Sequence, residues 1–246
     1  MTPATQRLSF IIPNFVTCTG LCFGLAAIFL CFHNEFVWSA WLITLCVLLD
    51  KLDGTAARLL NASSKIGVEL DSLSDFITFC VAPAILVSTA LVQPGRPLHG
   101  MPLAIIAYAS AATYVVAGAV RLAKFNCLEQ QGEGLKRNFV GIPTTICGAF
   151  LATLMLVFFK YDLIDLAGPY MPAIMAICAL SMVSTLLLPK LGKWERNWMN
   201  YFTMANAVIV PALILTHTCP EYLLGLNITY VFVGVIAASR PSYKVV

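Results

Sequence analysis

Charge is what this sequence has least of. Asp, Glu, Lys and Arg make up 11% of its 246 residues, less than half the share of about 25% in an average soluble protein. So few charges cannot cover a water-soluble globule. Stretches dominated by Ser, Gln or Glu are also missing, which excludes a disordered chain. The surplus of 15 basic over 12 acidic residues is too mild for a nucleic-acid partner. The nine cysteines form no C-x-x-C pair and no Cys/His metal spacing, which excludes a small disulfide scaffold. Most of them, Cys18, Cys22, Cys46, Cys147 and Cys178 included, lie in apolar runs and are expected to pack as small apolar side chains. There is no internal repeat and no low-complexity segment.

What fills the chain instead is apolar. Hydrophobic residues reach 59% and the mean hydropathy is +0.84, the composition of a polytopic membrane protein. A bilayer core about 30 Å thick needs about 20 apolar residues in a helix. Segments near 10–32, 36–60, 71–93, 101–121, 140–160, 167–188, 200–217 and 221–239 meet that test. The expected fold is therefore all-α, a bundle of about eight transmembrane helices forming one membrane domain over residues 1–246. The first run has no charge and no A-x-A exit, so it is expected to remain as a helix and not to be cleaved as a signal. Turn formers at 93–97 and 130–134 separate neighbouring spans.

The basic residues predict an orientation. With the N-terminus in the cytoplasm, that side receives Arg7, Arg58, Lys65, Arg121, Lys124, Lys136, Arg137, Lys190, Lys193, Arg196, Arg240 and Lys244. The other side receives only Arg96 and Lys160. This positive-inside bias places both termini in the cytoplasm, as expected for a bacterial inner membrane. His33, His99 and His217 fall at the opposite face, without a neighbouring carboxylate cluster, and read as interfacial residues.

Four aspartates break the apolar pattern. Only residues 36–49 precede Asp50 in its run, which spans roughly 21 Å of the core at 1.5 Å per residue. Asp50 and Asp53 thus lie below the interface, where an ionised side chain costs about 2.5–3.5 kcal/mol and marks a functional site by default. Asp50 and Asp53 are i, i+3, and Asp71 and Asp75 are i, i+4, so each pair shares a helix face. Antiparallel packing of the two helices brings four carboxylates into one pocket. Such anions repel unless some are protonated or a divalent cation neutralises them, and hard oxygen ligands suit Mg²⁺, Mn²⁺ or Ca²⁺. A helix-terminus role for Asp71 and Asp75 would explain two of the four and leave Asp50 and Asp53 unexplained. Gly54 and Ala57 are small and leave room for a ligand, while Arg58 offers a fork of donors suited to phosphate. Metal, arginine and a small-residue floor together read as a diphosphate site. A transporter using the pocket as an ion site would instead spread its carboxylates along a path through the membrane.

The string Asp50-x-x-Asp53-Gly54-x-x-Ala57-Arg58, eight residues, then Gly67-x-x-x-Asp71-x-x-x-Asp75 resembles the full signature of the CDP-alcohol phosphotransferases. The resemblance implies a membrane enzyme that moves a phosphatidyl-type group from a CDP-linked lipid to an alcohol, releasing CMP. It implies that Asp50, Asp53, Asp71 and Asp75 bind two metal ions, Mg²⁺ or Mn²⁺, with Asp75 also taking the proton of the attacking hydroxyl. Gly54, Ala57, Arg58 and Gly67 would contact the CDP moiety.

The flanks Pro13-Asn14-x-x-Thr17, Arg121-Leu122-Ala123-Lys124-Phe125-Asn126, Gly141-Ile142-Pro143 and Met182-Val183-Ser184 are similar to the membrane-integral phosphatidylserine synthases. That implies CDP-diacylglycerol and L-serine as substrates, and a homodimer. Asn14 and Thr17 share a helix face and can donate to nucleotide or phosphates. Arg121 and Lys124, i, i+3 at a helix end, can hold a serine carboxylate or a lipid phosphate, with Asn126 beside them. Glycerol phosphate, inositol phosphate and choline stay open as other acceptors.

Overall fold

The computed structural model describes residues 3–60, 64–130, 138–185, 187–189 and 197–238. Its helices are α1 (Pro3–Phe32), α2 (Phe36–Leu59), α3 (Lys65–Asp75), α4 (Ala82–Val92), α5 (Met101–Gln130), α6 (Thr144–Lys160), the single turn α7 (Ile164–Ala167), α8 (Met171–Val183), α9 (Asn197–Leu215) and α10 (Pro220–Ala238). A π-helical segment, Phe76–Val81, joins α3 to α4 without a break. Among the described residues the fold is all-α apart from one ribbon of two three-residue strands, β1 (Asn138–Val140) and β2 (Leu187–Pro189). They pair antiparallel, with Phe139 opposite Leu188.

Among the described residues, four stretches are long and apolar enough to cross a membrane: Ile11–Phe32, Ile66–Val92, Met101–Leu128 and Ile164–Val183. The protein is a membrane protein, and its surface agrees. Phe15, Phe29, Ile177, Leu180 and Val208 are all more than 60% exposed, an apolar surface that suits lipid. α2 has the length to span but carries Asp50, Lys51 and Asp53 in its second half.

Among the boundaries that differ from the sequence expectation, two have a clear local cause. The third helix begins at Lys65, six residues before the expected 71, because Ser64 caps it by accepting from the Gly67 N–H. Asp71 and Asp75 therefore sit in its second and third turns, out of reach of a helix-terminus role. The fifth span, expected from 140, starts at Thr144 after Pro143. Gly141 precedes it at φ +75°, where a Cβ would strike the Met182 carbonyl oxygen, so only glycine fits there.

The core is held by close approach of small residues, as in other helical membrane bundles. α1 packs along α2 and against α3, while α5 packs on α8 and α6 on α2. The π segment lies at the centre of this arrangement. A Cβ on Gly24 of α1 would come to 2.5 Å from Thr78 Oγ1, and one on Gly148 of α6 to 2.8 Å from the Phe79 carbonyl oxygen. Gly118 of α5 makes the same kind of approach to the Cys80 sulfur. All nine cysteines are free, and Cys31, Cys46, Cys80, Cys147 and Cys178 are buried. His33, His99 and His217 lie in the turns after α1, before α5 and after α9. There His217 meets the rings of Trp38 and Trp41 edge-on at 5.1 and 5.3 Å.

Candidate active site

One face of α2 and one face of α3 meet as the i, i+3 and i, i+4 spacings require. Carboxylate oxygens of Asp50, Asp53 and Asp71 lie within 4.8 Å of one another. Asp75, one turn beyond Asp71, lies outside that triad but lines the same small cleft, with Gly20, Ser74, Thr78 and Phe79 forming other parts of the wall.

α1 orients the carboxylates. The Thr17 hydroxyl, buried at 6% exposure, donates at 2.8 Å to Asp53 Oδ2 and also lies 3.0 Å from the Pro13 carbonyl oxygen. Ser74 Oγ donates to the Thr17 carbonyl at 3.3 Å. One threonine thus ties α1 to both acidic helices. The sequence reading turns Thr17 toward the nucleotide; in the structure its hydroxyl is engaged with Asp53. Asn14 Oδ1 stands 2.9 Å from where a Gly67 Cβ would lie, so Gly67 is small because α1 passes over it. Gly54 differs, with nothing within 4 Å of a Cβ added there, and faces open space. Ala57 is half-buried nearby, and the Arg58 side chain lies outside the described residues.

α5 closes the other side. Arg121 Nη1 donates to Thr144 Oγ1 of α6 at 3.2 Å, and its Nε is buried without a partner. The guanidinium is close enough to Asp75 to interact electrostatically. Lys124 is exposed. Asn126 is occupied within the protein: its Nδ2 donates to Ser72 Oγ at 2.9 Å and reaches Glu69 Oε2 at 3.4 Å, which stitches α5 to α3. Ser74, Thr78 and Thr144 also belong to the site, and sequence reasoning misses them because a lone hydroxyl in an apolar run carries no spacing signal.

The arrangement fits a divalent cation: three hard carboxylate donors converge, with no sulfur or imidazole among the ligand set. Beside it stands an arginine with donor capacity to spare.

Residues 10–189 match the family CDP-alcohol phosphatidyltransferase. The chain belongs to that family. CDP-alcohol phosphatidyltransferases are transferases dependent on a divalent metal, so the ion-coupled transporter reading is set aside. Among curated relatives, the CDP-diacylglycerol–serine O-phosphatidyltransferase of Helicobacter pylori is 30% identical over 76% of this chain and 76% of its own. The enzyme of the same name from Bacillus subtilis is 36% identical over 74% of this chain and 92% of its own. That from Methanocaldococcus jannaschii is 31% identical over 93% and 94%.

Proposed function

We propose that this CDP-alcohol phosphatidyltransferase transfers the phosphatidyl group of CDP-diacylglycerol to the hydroxyl of L-serine, giving phosphatidylserine and CMP. The observation that carries the reading is the convergence of Asp50, Asp53 and Asp71 in a cleft that also holds Asp75 and faces Arg121. The shared name of the relatives supports serine as the acceptor.

The serine oxygen attacks the phosphorus that carries the diacylglycerol, the bond from that phosphorus to the bridging oxygen breaks, and CMP leaves with the electron pair. Asp75 takes the serine proton. Asp50, Asp53, Asp71 and Asp75 would hold two Mg²⁺ or Mn²⁺ ions, which when bound neutralise charge developing on the diphosphate. Thr17 keeps Asp53 turned toward the cluster. Gly54 and Ala57 leave the floor open for the diphosphate. Asn14 and Gly67 would meet the nucleotide, Arg58 would add donors for its diphosphate, and Arg121 with Lys124 and Asn126 would bind a serine carboxylate or lipid phosphate.

The same reading takes residues 1–246 as one membrane domain of about eight transmembrane helices. It forms a homodimer in a bacterial cytoplasmic membrane, with both termini in the cytoplasm.

The test is an acceptor panel with purified protein and CDP-diacylglycerol, following CMP release with serine, glycerol phosphate, inositol phosphate and choline. Serine is expected to give the fastest release. Excess chelator should abolish turnover, and added Mg²⁺ or Mn²⁺ should restore it. Faster release with another acceptor would overturn the choice of serine, and full activity in chelator would overturn the metal site.

A further inference from the structure

Pro83 lies two residues past the end of the π segment, in the continuous run from α3 into α4. Proline has no N–H, and in a straight α-helix its ring collides with the carbonyl four residues back, here that of Phe79. The helix widens instead: the Ala82 N–H bonds five residues back to the Ile77 carbonyl. The Phe79 carbonyl takes its hydrogen bond from another helix, the Tyr114 hydroxyl of α5 at 2.8 Å. Tyr114 is 0% and Phe79 1% exposed, and Gly148 presses its backbone against the same carbonyl. A buried carbonyl left without a hydrogen-bond partner carries its full desolvation penalty.

The location gives this bond a consequence for chemistry. The π segment begins at the residue after Asp75, and Thr78 and Phe79 line the cleft beside the carboxylates. Tyr114 and Arg121 are seven residues, two turns, apart on one face of α5. One bond therefore ties the segment that follows Asp75 to the helix that carries Arg121, the cation that interacts with Asp75. π-bulges inside α-helices are frequent at functional sites, and this one has an identifiable cause and an identifiable latch.

We propose that Tyr114 is a positioning residue for phosphatidyl transfer: its hydroxyl holds the carbonyl stranded by Pro83 and so fixes the π segment that sets Asp75 against Arg121. The proposal rests on the reading of Asp75 as the base. Tyr114 is fully buried and does not line the cleft, so it acts through the π segment and not on the reacting atoms.

Tyr114→Phe keeps the ring and removes only the hydroxyl. A small misplacement of a reacting group, on the order of 1 Å, can cost up to 10²-fold, and the expected loss in kcat is about tenfold, with KM for CDP-diacylglycerol unchanged. Mn²⁺ affinity, read by electron paramagnetic resonance, should fall far less than kcat, because three of the four carboxylates, Asp50, Asp53 and Asp71, lie outside the segment that Tyr114 fixes. Thr153→Val is the control. It removes an equally buried hydroxyl that donates at 2.7 Å to the Ala149 carbonyl, away from the cleft, and should leave kcat intact. Pro83→Ala restores an N–H within reach of the Phe79 carbonyl, so adding Tyr114→Phe to Pro83→Ala should cost much less kcat than Tyr114→Phe does alone.

Wild-type kcat in Tyr114→Phe, or a loss that appears in KM alone, would overturn the proposal. So would equal slowing by Thr153→Val. If Tyr114→Phe does not fold, the double variant decides: kcat close to that of Pro83→Ala upholds the latch, and a further tenfold loss sinks it. Should Asp75→Asn retain turnover, the base assignment fails; an inactive Asp75→Asn beside a fully active Tyr114→Phe overturns the latch alone.

Discussion

Asp53 and Asp75 carry the same side chain into the same cleft and are held there differently. Asp53 is one corner of the triad and accepts from Thr17, whereas Asp75 stands a turn away from Asp71 and faces Arg121. Their amide variants should therefore fail in different ways. In the proposed mechanism Asp75→Asn keeps the shape and removes the proton acceptor, so a loss of about 10²- to 10⁴-fold in turnover is expected with CDP-lipid affinity largely kept. Asp53→Asn removes a metal ligand, so metal and nucleotide binding should both weaken, and excess metal should recover part of the rate. Turnover and CDP-lipid affinity measured across a metal titration separate the two. Near wild-type turnover in Asp75→Asn, or loss of nucleotide binding as severe as in Asp53→Asn, would show that Asp75 is not the base.

At the scale of elements, the glycines of this bundle divide by what they face. Gly148 meets the backbone of Phe79, with a Cβ placed 2.9 Å from its Cα, while Gly54 meets nothing. Gly148→Ala overpacks α6 against the π segment and should destabilise the protein by about 1–3 kcal/mol, seen as a lower melting temperature in detergent. Gly54→Ala should leave the melting temperature unchanged, or raise it slightly, because alanine favours the helix by up to about 1 kcal/mol. If Gly54 floors the diphosphate site, the same change raises KM for CDP-diacylglycerol. A Gly54→Ala protein with unaltered KM would remove Gly54 from the binding surface, and a Gly148→Ala protein with unaltered melting would contradict the close approach.

At the scale of the molecule, the distribution of basic residues assigns sides to the turns. In a variant with the native cysteines replaced, His99→Cys, exposed in the turn before α5, should react with an impermeant maleimide added outside intact cells. Gly134→Cys, in the segment between α5 and β1, should react only after lysis. Labelling of Gly134→Cys from outside would invert the proposed topology.

The aspartate pairs are legible in the sequence itself because helix periodicity alone puts i, i+3 and i, i+4 residues on one face, and the cost of burying them demands a common purpose. The apolar runs likewise locate helical bodies, since bilayer thickness sets their length. Helix ends are less legible. Ser64 starts α3 ahead of the apolar run, and α5 continues to Gln130, nine residues past Arg121, because capping and propensity extend helices past the hydrophobic stretch. Partner choice cannot be read from sequence at all. Nothing in the local sequence says that Thr17 serves Asp53, that Asn126 binds Ser72, or that Tyr114 answers the carbonyl freed by Pro83. Pro83 announces a stranded carbonyl at Phe79, but which of the bundle's hydroxyls reaches it depends on how α5 lies across the π segment. That is decided by the close approach of Gly118 and Gly148, contacts between residues far apart in the chain.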